Sequence, residues 1–397
     1  MGPSVLLFAI ALRVCAADTP VKSLSLAPWS SGVRFGPVVS DTERHTIHAY
    51  YLANPESPDG KYVLFFSSTD PTGEFGDICI VERATGREII LAKNVQAEDA
   101  HRGACQQWLA GGKMVAFHEV VEGNKWRVVV VDAASGEKKV IAEDRQLGFG
   151  SPTGNLLPLY GRHWNPGEHR DLEIWDAGTG GIRKAVLVAD VLEKCPGLVP
   201  PNSAAAPVSI FFPVLSPDLT RVMFKLASGR GGEDFRSKTA SAREGLICYE
   251  LATGNYLWSY PKWGHPAWHP DSRRILQIGY QFFDTGSGET LRKGGLPNLK
   301  GTHLTLSPDA RLMAVDGALG ALGKTPQDWG IVVADGEAGE WRLIHEFNNL
   351  RGARSWRRSH PHPVFSADGR RIYYNVSDGP FTRLYVAEAG GLPGTTP

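Results

Sequence analysis

Seven copies of one short turn constrain this chain more than any other feature. They read SPDGKYVLFF from Ser57, LAGGKMVAFH from Leu109, SPTGNLLPLY from Ser151, SPDLTRVMFK from Ser216, HPDSRRILQI from His269, SPDARLMAVD from Ser307 and SADGRRIYYN from Ser366. Where the motif is complete, Pro presets the turn, Asp caps it, and Gly or a small residue takes the awkward backbone position. A polar residue follows, then an apolar run of strand length. A second turn of the type ATGRE or ASGEK lies further on, behind another apolar strand. Spacings of roughly 40–60 residues leave room for four short strands per copy. The expected fold is therefore all-β, a seven-bladed β-propeller of four-stranded blades, which leaves only short, protected sheet edges. An open sandwich or two separate all-β domains would not need seven copies.

Composition narrows the class. Lys and Arg balance Asp and Glu over 397 residues, so the net charge is zero and nucleic acid is excluded as a partner. Residues 5–12 form a short apolar core followed by the small residues Cys15 and Ala16. This reads as a signal peptide over residues 1–17, ahead of a single propeller domain over 18–397. The mature chain is expected to be secreted or periplasmic, monomeric, and without a membrane span. Cys79, Cys105, Cys195 and Cys248 are far apart, and no more than one disulfide is expected.

The repeat also supplies a register. Four residues before each turn stand Ala53, Cys105, Leu147, Phe212, His265, His303 and His362, and His360 lies two residues before the last. Inner strands line the axis, so His265, His303, His360 and His362 are predicted to converge there. Such a set suits a divalent transition metal, zinc or manganese. The alternative is that these imidazoles bond backbone at strand starts.

Nine residues after each turn stand Phe66, His118, Tyr160, Lys225, Ile278, Asp316 and Asn375. His118, Tyr160 and Lys225 on three neighbouring blades predict a rim that faces water or a ligand. His101 and Arg102 precede the inner strand of the second blade. Arg162, His163, His169 and Arg170 follow Tyr160 in a loop expected to return to the same rim. A solvated lysine is the plain reading of Lys225, and substrate binding by Lys225 and Arg162 the sharper one.

Hydrolytic signatures are missing. There is no carboxylate pair at the rim, no G-x-S-x-G, no H-E-x-x-H and no phosphate loop. A His, Tyr and Arg cluster fits β-elimination on uronic acids instead. That reaction removes the proton beside a carboxylate, so the carboxylate charge must be neutralised. Here His118 and Tyr160 would exchange protons and Arg170 would neutralise.

The Ser-Pro-Asp-Gly blades resemble TolB-type propellers over nearly the whole mature chain. HPHPVFSADG from His360, with His303 and His265 upstream, resembles the oligogalacturonate lyases, seven-bladed propellers that hold a divalent metal with histidines. That family places a glutamine three residues before its H-x-H pair. Arg357 stands there in this chain, a departure that bears on a catalytic metal more than on a structural one. Blades two and three resemble the ulvan lyases, whose order of two histidines, a tyrosine and an arginine matches His101, His118, Tyr160 and Arg170. These resemblances imply a lyase acting on a uronate-containing polysaccharide. The competing expectation is a non-catalytic TolB-like propeller that binds protein or glycan partners.

Overall fold

The repeated turns close through their own side chains. Ser57 Oγ donates to Asp59 Oδ1 at 2.6 Å while accepting the Tyr62 amide at 3.0 Å. Ser216, Ser307 and Ser366 repeat both bonds with Asp218, Asp309 and Asp368. The fourth turn position is left-handed, which suits Gly60 and Gly369 but is also taken by Leu219, Ser272 and Ala310. Each turn thus delivers the chain from an inner strand into the second strand of the same blade.

The computed structural model describes residues 23–198, 207–232, 234–237, 239–299 and 303–391. The expected signal peptide lies outside the described residues. Seven four-stranded antiparallel sheets make a seven-bladed β-propeller. Six blades run from inner to outer strand in chain order; the first uses His45–Ile47, Tyr62–Ser68, Phe75–Glu82 and Glu88–Gln96. The seventh takes Val364–Phe365, Arg371–Val376 and Arg383–Glu388 from the C-terminal end, and its outermost strand, Arg34–Pro37, from the N-terminal end. Arg34 pairs with Glu388 and Pro37 with Tyr385, so the ring is closed by backbone hydrogen bonds. Among the described residues one α-helix, Val188–Lys194, follows the third blade in the chain. Among the described residues no helix is long and apolar enough to cross a membrane.

Both faces of each blade are buried. Leu64, Phe66 and Ile80 of blade one pack on Trp108, Val115 and Phe117 of blade two. Val63 and Phe65, on the other face of blade one, pack on Tyr373 and Leu384 of blade seven. Each such side chain contributes about 1.5–3 kcal/mol when fully buried. The axis itself is filled. Tyr50, Tyr51, Phe149 and Phe212 join one cluster there, with the Tyr50 ring 5.6 Å from Phe149 and 5.8 Å from Phe212. Cys79, Cys105, Cys195 and Cys248 are all free and buried.

Candidate functional site

Four residues before the turn, the chain adopts a left-handed backbone at Cys105 (φ 52°), Phe212 (φ 58°), His265 (φ 57°) and His362 (φ 53°). Such a conformation is costly for residues with a β-carbon and persists only when the surroundings enforce it. Here it turns side chains of four inner strands at the axis. Four imidazoles meet on top of the aromatic plug. His101, His303, His360 and His362 each offer a ring nitrogen, and all four nitrogens lie within 4.8 Å of one another.

The cluster is held from behind. Asp316, fully buried, accepts the His303 Nδ1 proton at 3.0 Å, the His303 amide at 2.7 Å and the His362 amide at 3.0 Å. His101 Nδ1 donates to the Arg358 carbonyl at 3.2 Å. Asn375 donates to the carbonyls of His360 and His48, and His48 Nε2 donates to the His362 carbonyl at 2.7 Å. These contacts fix the tautomers of His101 and His303, so that Nε2 of each faces the cluster with a lone pair.

Four ring nitrogens in this set are buried without a partner: His303 Nε2, His360 Nδ1, and both nitrogens of His362. Leaving a buried polar atom unpaired costs about 1–3 kcal/mol each. Burial, followed by the neighbouring imidazoles, pushes His362 well below the ordinary histidine range. The same causes bring His360 down to about 4. Neutral imidazole is the form that binds metal. Nitrogens about 2.1 Å from one tetrahedral ion stand about 3.4 Å apart, so the imidazoles would draw together to hold one. The donor set fits zinc or manganese.

The ligand set foreseen from the repeat register is revised in one member. His101 belongs to the four, whereas His265 lies just outside it, with its ring 4.7 Å from that of His303. His265 is half-buried and makes no hydrogen bond among the described residues. Burial and then His303 bring it down to about 3.

Beside the imidazoles lies a wall of charge. Asp99 Oδ1 caps the loop before the second inner strand by accepting the amides of His101 (2.8 Å) and Arg102 (2.9 Å). Glu98 accepts from Arg102, and from Arg357 at 3.0 Å; Arg357 Nε also donates to Asp99 at 2.6 Å. Arg357, at the position where the similar lyases carry glutamine, therefore pairs with acids, and its charge helps to hold His101 and His360 below the ordinary histidine range.

His118 and Tyr160 stand behind this wall, and neither has exposed surface. His118 Nδ1 accepts the Leu147 amide at 3.0 Å, which leaves Nε2 protonated and 3.8 Å from Glu98. Burial pushes the Tyr160 phenol up, with Arg102 opposing, so it stays protonated. The expected water-facing rim is thus buried at both residues. Cys105 completes a buried group with Glu98 and His118, and burial pushes its thiol up to about 12, so without a metal it is protonated.

Two expected arginines are engaged elsewhere. Arg162 pairs with Asp144 at 2.9 Å, and Arg170 Nε donates to the Val208 carbonyl at 2.8 Å. The order that resembles ulvan lyases is therefore spread out: His101 in the imidazole cluster, His118 and Tyr160 around Arg102, and Arg170 at a strand end. Lys225 is half-buried with its Nζ 4.7 Å from the centre of the Trp263 ring. Trp356 carries Arg357 at 4.4 Å, whereas Trp108 and Trp268 are core, donating to the carbonyls of Pro55 and Val214. Arg243, on the third strand of blade four, was not singled out by the repeat register.

No family model and no curated protein sequence matches the chain. Solved structures do. An oligogalacturonate lyase from Vibrio parahaemolyticus is 17% identical, covers 91% of this chain and 98% of its own, and superposes with a TM-score of 0.57. An oligogalacturonate lyase in complex with manganese is 13% identical over 91% of this chain and 97% of its own, with a TM-score of 0.39. TolB from Acinetobacter baumannii is 14% identical over 88% of this chain and 64% of its own, with a TM-score of 0.37. At these identities the likeness speaks to the fold alone.

Proposed function

We propose that this propeller is a metal-dependent lyase that cleaves uronate-containing oligosaccharides or polysaccharides by β-elimination. The observation that carries the reading is the cluster of His101, His303, His360 and His362, whose ring nitrogens lie within 4.8 Å of one another and, in the last three residues, include buried atoms without a partner. A divalent zinc or manganese ion bound there supplies Lewis-acid polarisation of the substrate carboxylate. The chain's own residues do the rest. Asp316 and the Arg358 carbonyl orient the imidazoles. The aromatic plug under them closes the axis, so substrate approaches from one side only. In this reading His265, its ring 4.7 Å from that of His303 and kept unprotonated by burial, would take the proton from C5. As that C–H bond breaks, its electron pair forms the C4–C5 double bond and the glycosidic oxygen leaves C4, taking up a proton from water. His118 and Tyr160 act from behind by packing around the Arg102–Glu98 pair. The shared fold with oligogalacturonate lyase supports the reading at the level of architecture.

The test is ultraviolet absorbance of the unsaturated uronate, followed as metal-loaded protein meets polygalacturonate oligomers, ulvan and alginate. A rise that disappears on chelation and in His303→Ala supports the lyase. No product on any polymer, with metal bound, overturns it and leaves a glycan- or protein-binding scaffold.

A further inference from the structure

Lys225 stands where two strand ladders of blade four are interrupted. It lies opposite Phe211 on the inner strand, and beyond that pair the register skips to Val214 and Met223. On its other side the pairing jumps from Phe224 and Ile247 to Leu226 and Glu244, which leaves Lys225 without an opposing residue on the third strand. Phe212 in the first break and Gly245 in the second are both left-handed, with φ 58° and 75°. Bulges re-aim side chains and are over-represented beside active sites. Here they set an amine among three rings. Lys225 Nζ lies 4.7 Å from the centre of the Trp263 ring, 5.1 Å from that of Phe211 and 5.3 Å from that of Phe212. The side chain keeps some open surface, and it makes no hydrogen bond or ion pair among the described residues.

Rings attract a cation by about 0.5–2 kcal/mol. Two of these rings already carry one: Arg243 lies 4.7 Å from the centre of Phe211, and Arg102 lies 4.9 Å from that of Phe212. Guanidinium keeps its proton at neutral pH, whereas a buried lysine gives its proton up readily. The lysine is therefore the group that yields. Burial, then Arg243, Arg102 and Arg357, hold it well below the ordinary lysine range. The imidazoles within range of its charge, His163 and His265, are themselves kept neutral by burial and supply no counter-charge.

We infer that Lys225 is a nucleophilic amine that captures small aldehydes and ketones as imines, a covalent site that does not depend on the lyase reading. The amine lone pair adds to the carbonyl carbon, and the π pair moves to the oxygen, which takes a proton. The carbinolamine nitrogen then expels that oxygen as water and leaves the imine. Lysines are activated for this step by an apolar pocket or by a neighbouring cation, and Lys225 has both. Trp263, Phe211 and Phe212 also shield the imine from the water that would hydrolyse it.

The test is reductive capture. The purified protein is incubated with glycolaldehyde and cyanoborohydride, and modification of each lysine peptide is followed by mass spectrometry. Exposed Lys61 and Lys113 are references within the same molecule. At pH 7 only about one ordinary lysine in 2,500 is neutral, so Lys225 should be modified at least about tenfold faster than either reference. That excess should shrink toward about pH 10, where the references lose their own protons. Arg243→Gln should slow capture at Lys225 about threefold or more at pH 7, and Arg243→Lys, which keeps a cation, should restore it. Capture at Lys225 no faster than at Lys61 and Lys113, or an excess that is the same at every pH, overturns the site.

Discussion

The Asp316 carboxylate and the His303 ring meet at 3.0 Å inside blade six, and the same carboxylate reaches across to the His362 amide of blade seven. One buried acid therefore sets the aim of one imidazole and the backbone position of another. Burial alone would push Asp316 up, but His303 outweighs it through charge and hydrogen bonding and holds the carboxyl below its usual range. Asp316→Asn keeps the volume and removes the charge. Metal affinity, measured by competition with a chromophoric chelator, should fall about 10–100-fold. An affinity equal to wild type would mean that Asp316 does not orient the cluster.

His362 carries two unpartnered nitrogens in a fully buried ring. A site built to bind pays for that in its free form. His362→Leu removes both orphans in the metal-free protein, a gain of about 1–3 kcal/mol that a packing mismatch partly offsets. The metal-free melting temperature should hold or rise, while the increase on adding zinc or manganese should vanish. A large loss of metal-free stability would show that the ring serves packing.

Much of this was legible because each turn fixes a register. Counting back four residues found His303 and His362, and counting on nine found Asp316 and Lys225, since inner and second strands pair from the turn outward. His101 could be named but not placed. It sits on a loop shaped by Asp99 caps and by left-handed Gly103 and Cys105, and no repeat position encodes that path. Arg243 escaped because it lies on a third strand, beyond the reach of the count. Arg170 was assigned from the order of residue types along the chain, and order does not fix distance across blades. The burial of His118 and Tyr160 was also invisible, because a polar residue at a strand end looks alike whether it faces solvent or a buried Arg–Glu pair.

Ring closure depends on one buried acid as well. Glu56, 2% exposed just before the Ser57 turn of blade one, accepts from Arg371 Nε at 2.9 Å and from the Tyr373 hydroxyl, both on blade seven. Glu56→Ala strands Arg371 without this buried partner and leaves the Tyr373 hydroxyl unpaired. The cost should be about 3–5 kcal/mol by urea unfolding. A cost under about 1 kcal/mol would mean that the seam between blades one and seven is held by apolar packing alone.

Acid sensitivity should arise partly at the other side of blade seven. The His345 ring stacks 4.1 Å from Phe35 of the closing strand, and its Nδ1 accepts from the Tyr374 hydroxyl at 2.8 Å. Burial brings this imidazole down to about 4 from 6.5. Between those values the unfolded chain binds a proton that the folded chain refuses, so stability rises with pH across the window and is lost as pH falls through it. The contribution is on the order of 1–3 kcal/mol. His345→Phe keeps the stack on Phe35 and removes the titration. Its urea midpoint should sit slightly below wild type near neutrality, because the Tyr374 hydroxyl loses its acceptor. It should then fall less steeply toward pH 4. Buried His48, also brought down to about 4, keeps part of the acid limb in place, so the slope should shrink without vanishing. An identical slope in the variant would show that His345 is already protonated in the fold, and that the closing strand rests on a charged ring.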